Sequence, residues 1–156
     1  MTYVPDRSYP VIVQIRDVLE AMSGLLAATG TITFSSTPAE VPTANDTLII
    51  SDGVTAITYT WKAEPAAAND VEIGATATIS AANLLAAINA NAPDLTDNLG
   101  RAIADPARGI VAVATTALVI TLTNTIMGAL GNVAITDGTD NVEVTGMANG
   151  ADGGAI

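Results

Sequence analysis

The stretch Ser80-Ala-Ala-Asn-Leu-Leu-Ala-Ala-Ile-Asn-Ala-Asn91 decides the fold, because it is a helical segment in a region that otherwise alternates like strands. Leu84 and Ile88 fall on one face at helical spacing, and the alanines let that face lie close to a sheet. Ser80 is a suitable N-cap, and Pro93 lies just beyond the end. We therefore predict one short helix, about residues 80–91, packed on a sheet.

Short runs of β-branched residues flank this helix and are separated by Gly, Asn, Asp and Pro, which is typical of antiparallel strands and their turns. Asp52-Gly53 is a strong hairpin signal, and Asp137-Gly138 predicts a second turn. The fold class expected is α+β, mainly β, with an antiparallel sheet or sandwich of about seven short strands. The extended segments are 31–36, 46–51, 55–61, 71–74, 110–114, 118–123, 132–136 and 142–146.

The N-terminal region has a different pattern. Residues 1–10 predict an extended arm, and residues 11–28 predict an amphipathic helix that begins at Pro10 and ends at Gly30. This gives two units: residues 1–29 for assembly or anchoring, and residues 30–156 as the β domain with a short Gly/Ala/Asp-rich tail. Whether the apolar stripe packs on its own sheet or on another molecule stays open. The stripe consists of Val11, Ile12, Ile15, Val18, Leu19, Met22, Leu25 and Leu26.

Composition excludes several classes of function. Of the 156 residues 49% are hydrophobic, only 3% are aromatic and 13% are charged, so the core is aliphatic and the charged fraction is about half the usual quarter. The net charge is −11, and the five basic residues are scattered, which excludes a nucleic-acid partner and disfavours an anionic membrane. No apolar run approaches the ~20 residues of a membrane span, and the first residues do not resemble a signal peptide. Synthesis in a cytoplasm is expected.

The chain has no Cys and no His, which removes Cys nucleophiles, His-based triads and the usual zinc ligands. The acid pairs Asp94/Asp97 and Asp137/Asp140 lie in segments where turn residues are expected for structural reasons. We therefore predict no catalytic, cofactor-binding or metal-binding residue, and the protein is not expected to be an enzyme.

Two further sequence features remain. Tyr59 and Trp61 lie on one face of a predicted strand, where they can form a sugar-stacking platform or, as we favour, part of the core. In addition, residues 32–34 followed by 48–53 resemble residues 120–122 followed by 133–138. Two related β-hairpins on either side of one helix would explain this internal similarity.

The order of several pieces resembles a β-rich structural module of tailed-bacteriophage and prophage virion proteins, over roughly residues 30–153. Asp46 stands where the module often has Gly. The matching pieces are Gly30-Thr-Ile-Thr-Phe34, Ala44-Asn-Asp-Thr-Leu-Ile-Ile50, Asp52-Gly53, Ile73-Gly-Ala-Thr-Ala77, Ala82-Asn-Leu-Leu-Ala-Ala-Ile-Asn-Ala90, Val119-Ile-Thr-Leu-Thr-Asn124, Gly131-Asn-Val-Ala-Ile135 and Val144-Thr-Gly-Met-Ala-Asn-Gly-Ala-Asp-Gly153.

This resemblance implies a non-enzymatic virion structural protein, made in the host bacterial cytoplasm, and we expect a capsid cement or decoration protein on the outside of the head. The partners implied are the major capsid protein or other virion proteins and further copies of the chain, as a trimer. The alternatives are a fibre, neck or tail-adaptor subunit and a carbohydrate-binding module. The expected contact residues are Tyr3, Tyr9, Ile15, Leu19, Met22 and Leu26.

Overall fold

The computed structural model describes residues 24–90, 95–96, 102–103 and 109–152. Within them one α-helix, α1 (Ala77–Ala90), and one 3-10 turn (Ala129–Gly131) accompany ten strands. The strands are β1 (Ala27–Phe34), β2 (Thr47–Ser51), β3 (Ala56–Lys62), β4 (Asp70–Glu72), β5 (Leu95–Thr96), β6 (Ala102–Ile103), β7 (Ile110–Thr116), β8 (Val119–Met127), β9 (Thr136–Gly138) and β10 (Val142–Ala148).

Two four-stranded sheets dominate the fold. The first sheet has the order β10-β1-β8-β7, the second has the order β4-β3-β2-β9, and β5 pairs with β6 alone. All pairings are antiparallel except that of β3 with β4. The predicted class, mainly β with one packed helix, is confirmed.

The core lies between the two sheets and α1. Strand residues alternate between buried and exposed positions, so each sheet contributes one aliphatic face. The rings of Phe34 in the first sheet and Trp61 in the second meet edge to face, with centroids 6.0 Å apart. Leu84 and Ile88 add the buried face of the helix. One contiguous core therefore joins both sheets.

Helix α1 lies beside the edge strands of both sheets. The side-chain amide of Asn89 donates to the carbonyl of Ala112 in β7 (3.3 Å), and that of Asn83 donates to the carbonyl of Glu72 in β4 (3.0 Å). These asparagines saturate backbone acceptors at sheet edges, which otherwise need a partner or water. The helix thus closes the open side of the sandwich.

The predicted helix start is wrong by about one turn. The helix begins at Ala77, where the hydroxyl of Thr76 accepts from the amide of Ile79 (3.3 Å). Ser80 is fully buried, and its hydroxyl accepts from the amide of Gly74 (2.9 Å). Ser80 does not cap the helix, because it instead ties the preceding loop to the first turn of α1.

The predicted N-terminal helix falls largely outside the described residues, but its C-terminal end is wrong. Residues 27–34 form β1, and Gly30 is an interior strand position rather than a helix terminator. The alternation of Thr29, Thr31 and Thr33 with buried residues, and pairing on both edges with β8 and β10, override the helical spacing. The proposed boundary between residues 29 and 30 falls inside this strand.

Two C-terminal predictions also need correction. Residues 132–135 are not a strand, and Asp137-Gly138 belongs to β9 instead of a turn. The segment before β9 runs beside β10, where the amide of Met147 donates to the carbonyl of Val133 (2.8 Å). Local turn chemistry was outweighed by pairing with β2. The tail docks as far as Ala151, which bridges to Leu26.

The internal similarity has a geometric counterpart. The similar segments pair with each other: β1 with β8, and β2 with β9. Ile32 lies directly opposite Ile120, its equivalent in the sequence comparison. In an antiparallel pair this places a local two-fold axis between the two isoleucines. The β1 and β8 pieces are therefore related by a local two-fold rotation.

Gly30→Ala is expected to lower the free energy of unfolding by about 2–3 kcal/mol, as overpacking at a rigid site does. A Cβ at this position would lie 2.7 Å from the backbone oxygen of Thr145 and 3.2 Å from the carbonyl carbon of Gly146, and backbone atoms cannot move without disturbing the β1–β10 pairing. Urea unfolding followed by the fluorescence of the single tryptophan measures the effect. Gly138→Ala is the matched control, since its Cβ would meet nothing closer than 3.4 Å. Equal stability of the two variants would contradict the close approach.

Candidate interaction surface

The outer face of the first sheet is the most regular exposed surface in the described part of the chain. Its strands bury alternate residues, so the others point away from the core. We call this surface the threonine face. It consists of Thr29, Thr31, Thr33, Val111, Val113, Thr115, Val119, Thr121, Thr123, Glu143 and Thr145.

Strand register arranges these side chains in rows. Thr31 lies opposite Thr145 on one side and Thr121 on the other, and Thr121 lies opposite Val113. The hydroxyls of Thr115 and Thr121 are hydrogen-bonded to each other. Neighbouring strands lie about 4.8 Å apart and successive outward residues about 7 Å apart along a strand. The result is a regular grid of methyl and hydroxyl groups.

The threonine face is almost free of charge although the protein is strongly acidic. Residues 21–39, 73–93 and 109–136 contain no Asp, Glu, Lys or Arg, and they include α1, β1, β7 and β8. Glu143 on the edge strand β10 is the one charged member of the face. A second surface can therefore approach here without desolvating ionised groups and with little like-charge repulsion.

The aspartates that the structure describes act mainly as acceptors for backbone amides. The Asp70 carboxylate accepts from the amides of Ala66 (3.0 Å) and Ala67 (2.8 Å), and these bonds, with the nearby charge of Lys62, hold the pKa of Asp70 below its ordinary value. Asp70 therefore fastens its loop, as turn chemistry predicts.

In the candidate acid pair Asp137/Asp140, Asp137 has the same structural character, and Asp140 is held through its backbone amide. Asp137 accepts from the amide of Thr139 (2.8 Å), and the amide of Asp140 donates to the carboxylate of Asp46 (3.0 Å). Asp94 and Asp97 lie outside the described residues. Across residues 24–90 and 109–152, no three side chains of a metal-binding type converge on one point.

Asp52 is a buried carboxylate that the sequence reading treated only as a turn residue. It is 2% exposed, and Oδ1 accepts from the amides of Val54 (2.8 Å) and Thr55 (2.7 Å). Oδ2 accepts from the amide of Gly109 (3.0 Å), just before β7. The carboxylate thus ties the β2–β3 hairpin to the first sheet.

Asn124, which is fully buried, continues this connection from β8. Its amide nitrogen donates to the carbonyls of Asp52 (2.9 Å) and Gly131 (3.1 Å), and its oxygen accepts from the amide of Ile126 (2.9 Å). We call Asp52 and Asn124 the polar junction. The polar side-chain atoms of both residues are hydrogen-bonded to backbone groups, so the polar junction has a structural role.

Tyr59 and Trp61 are core residues, as the favoured interpretation predicted. Tyr59 is 2% exposed and Trp61 is fully buried. A sugar-stacking platform needs exposed rings, so these two residues cannot supply one. The indole Nε1 of Trp61 is buried with no hydrogen-bond partner within the described part of the chain.

A second exposed apolar group lies at one end of the sandwich, and we call it the apolar end. Its members are Leu26, Val54, Met127 and Leu130, which are 56%, 74%, 56% and 80% exposed. The amide of Gly128 donates to the carbonyl of Leu26 (3.0 Å), which joins the β1 and β8 sides. Leu26 is the one expected contact residue that the structure describes; Tyr3, Tyr9, Ile15, Leu19 and Met22 lie outside the described residues.

The apolar end spans both sheets. Val54 is at the tip of the β2–β3 hairpin, and a Cβ on the adjacent Gly53 would lie 3.1 Å from the carbonyl oxygen of Leu130. At the opposite end of β1 an open groove of about 510 Å³ is lined by Thr33, Glu40 and Glu143 among others. The Ser35 hydroxyl in that groove already donates to Glu40.

Comparison of the chain with protein-family models, with curated proteins and with solved structures finds no match. No helix in the described ranges is long and apolar enough to cross a bilayer. Functional inference therefore depends on the surface chemistry of the chain itself and on the resemblance described from its sequence.

Proposed function

We propose that this protein is a non-enzymatic structural protein of a tailed-bacteriophage virion, and specifically a cement or decoration protein on the outside of the capsid. The observation that carries the proposal is the threonine face. A protein with a net charge of −11 keeps a whole sheet face nearly free of charge, which suits a surface that is covered by a neighbour.

The chemistry of this face fits a repetitive partner. Threonine offers a methyl group and a hydroxyl at each grid point, so one contact combines apolar area with hydrogen bonding. Each such contact is weak, because a threonine side chain is small and buries little apolar area. Many copies on a symmetric shell would gain strength by avidity rather than by a single strong anchor.

The edge strand β7 supports the same proposal. β7 contains no charged residue and no Pro, and since α1 covers its free edge, its contribution to an interface comes from its outer face rather than from edge pairing. Val111 and Val113 remain half exposed or more on its outer side. The occupants proposed for this side are the major capsid protein or another copy of this chain, as a homotrimer.

The alternative is a fibre, neck or tail-adaptor subunit. Such a subunit would use the same contact surface and would differ from a decoration protein only in its location within the particle. The proposed contacts of the N-terminal arm, Tyr3 and Tyr9, are common to both. The carbohydrate-binding alternative has lost its aromatic platform, since Tyr59 and Trp61 are buried.

The test uses particles from the phage or prophage that encodes this chain. We expect mass spectrometry of purified particles to find the chain in many copies, and immunogold labelling to place it on heads. Labelling confined to tails would favour the alternative, and absence from intact particles would refute both virion roles.

A pair of variants then tests the surface. Particles made without the protein are mixed with purified Thr121→Glu or Thr58→Glu. Thr121 is central in the threonine face, whereas Thr58 is an exposed strand threonine on the second sheet. We expect Thr121→Glu to reduce bound copies by about tenfold or more, as burying an unpaired charge does, and Thr58→Glu to bind normally. Equal binding of the two variants would exclude this face.

A further inference from the structure

We propose that residues 11–23 pack across the apolar end of the same molecule and cover Leu26, Val54, Met127 and Leu130. The proposal concerns a contact within one chain, so it stands apart from any virion role. Its starting point is that four large apolar side chains, each more than half exposed, gather at one end of the sandwich.

The position at which the chain joins the sandwich argues for this occupant. Gly24 lies in a turn, and Leu26 is itself a member of the apolar end. The segment that precedes the turn therefore arrives directly at the exposed cluster, with only two residues between. Such a short tether gives residues 11–23 a high effective concentration at this surface. A competing molecule would need a higher concentration, or a higher affinity, to displace them.

The pattern and length of the segment also fit. Ile15, Leu19 and Met22 recur at helical spacing, with Arg16 and Asp17 on the other face. Thirteen helical residues span about 20 Å, and packed sheets are separated by about 10 Å. One helix is therefore long enough to lie across both sheets, from Leu26 and Met127 to Val54.

Charge around the apolar end is compatible with an apolar stripe. Residues 21–39, 53–61 and 109–136, which supply all four exposed side chains, carry no charge. Two nearby carboxylates in the described residues are already engaged: Asp52 accepts from the amide of Val54 (2.8 Å) and Asp152 from that of Ala129 (2.9 Å). Under this proposal Ile15, Leu19 and Met22 contact their own domain instead of a neighbouring protein.

Because the chain has no Cys, a single introduced thiol reports on coverage in the full-length protein. Leu130→Cys places the thiol in the apolar end, and Thr58→Cys places it on the exposed second sheet as a reference. We expect the Leu130→Cys thiol to react with a disulfide reagent about tenfold more slowly than the reference, at a rate independent of protein concentration, since the contact is intramolecular.

Breaking the stripe should remove the protection. Adding Leu19→Asp, or Met22→Asp as a second variant, to Leu130→Cys should raise the thiol rate to within about twofold of the reference. Adding Gln14→Asp, on the polar face, should leave protection intact. Circular dichroism confirms that each variant is folded.

Two results would overturn the proposal. If the Leu130→Cys thiol reacts as fast as the reference, nothing covers the apolar end. If its protection rises with protein concentration, the covering stripe belongs to a second copy.

Discussion

Asp52→Ala is expected to lower the free energy of unfolding by about 3 kcal/mol, because it removes a buried acceptor that serves three backbone amides. The amides of Val54 and Thr55 can be hydrated at the exposed hairpin tip, but that of Gly109 is buried. Most of the loss should therefore arise at Gly109, where the hairpin meets the first sheet. Urea unfolding followed by Trp61 fluorescence measures it.

Two variants make the result specific. Asp137→Ala is the matched control, since Asp137 is also next to a glycine but is only half-buried and accepts from the amide of Thr139; it should cost less than about 1 kcal/mol. Asp52→Asn keeps the acceptor for the amides of Val54 and Thr55. Its loss of unfolding free energy should therefore lie between the losses of Asp52→Ala and Asp137→Ala. If Asp52→Ala is no more harmful than Asp137→Ala, the polar junction does not hold the sheets together.

Trp61→Ala is expected to lower the free energy of unfolding by about 4 kcal/mol, as truncation of a fully buried tryptophan does. The loss includes the edge-to-face contact with Phe34 and leaves a cavity between the two sheets. Since Trp61 is the single tryptophan, unfolding of this variant has to be followed by circular dichroism.

Trp61→Phe separates packing from hydrogen bonding. The indole Nε1 has no hydrogen-bond partner among the described residues, so Phe should lose only volume and cost about half as much as Ala. Nearly equal losses for Phe and Ala would instead mean that the indole N–H has a bonded partner, such as a buried water. Native Trp61 fluorescence should also resist quenching by iodide.

The sequence pattern predicted elements best where burial alternates strictly. The Leu48–Ile50 strand, the hairpin at Asp52-Gly53 and the return strand with Tyr59 and Trp61 lie close to their predicted places, because alternation and turn chemistry point the same way. The helix around Leu84 and Ile88 is equally clear.

The errors occur where long-range pairing determines local structure. Gly30 looks like a helix terminator in the sequence, but it is needed where β10 crosses close to β1. Ser80 looks like a cap, but its hydroxyl binds Gly74. The β10 contact of Gly30 cannot be identified from neighbouring residues, whereas Gly74 is six residues before Ser80 and engages the hydroxyl that would have served as the cap; in both cases local propensity gives the wrong element boundary.

The interaction surface was only partly predictable. A charged fraction of only 13% is compatible with a surface that is covered by a partner, but it does not identify which surface. Placing the threonines on one face requires the strand order β10-β1-β8-β7, which the sequence pattern did not supply. The polar junction was missed because Asp52 and Asn124 are distant in sequence, and an Asp before Gly is adequately explained by the turn alone.

The central position of β1 bears on how the protein is made. Its neighbours in the first sheet are β8 and β10. Thr31 therefore cannot pair until Thr121 and Thr145, which leave the ribosome much later, have been synthesised. Folds dominated by such distant pairings have high contact order and complete in milliseconds to seconds rather than microseconds. During translation β1 stays unpaired until β8 has been synthesised, and its second edge stays unpaired until β10 follows. Native pairing of the first sheet is therefore completed late, and loss of β10 would leave β1 paired with β8 alone.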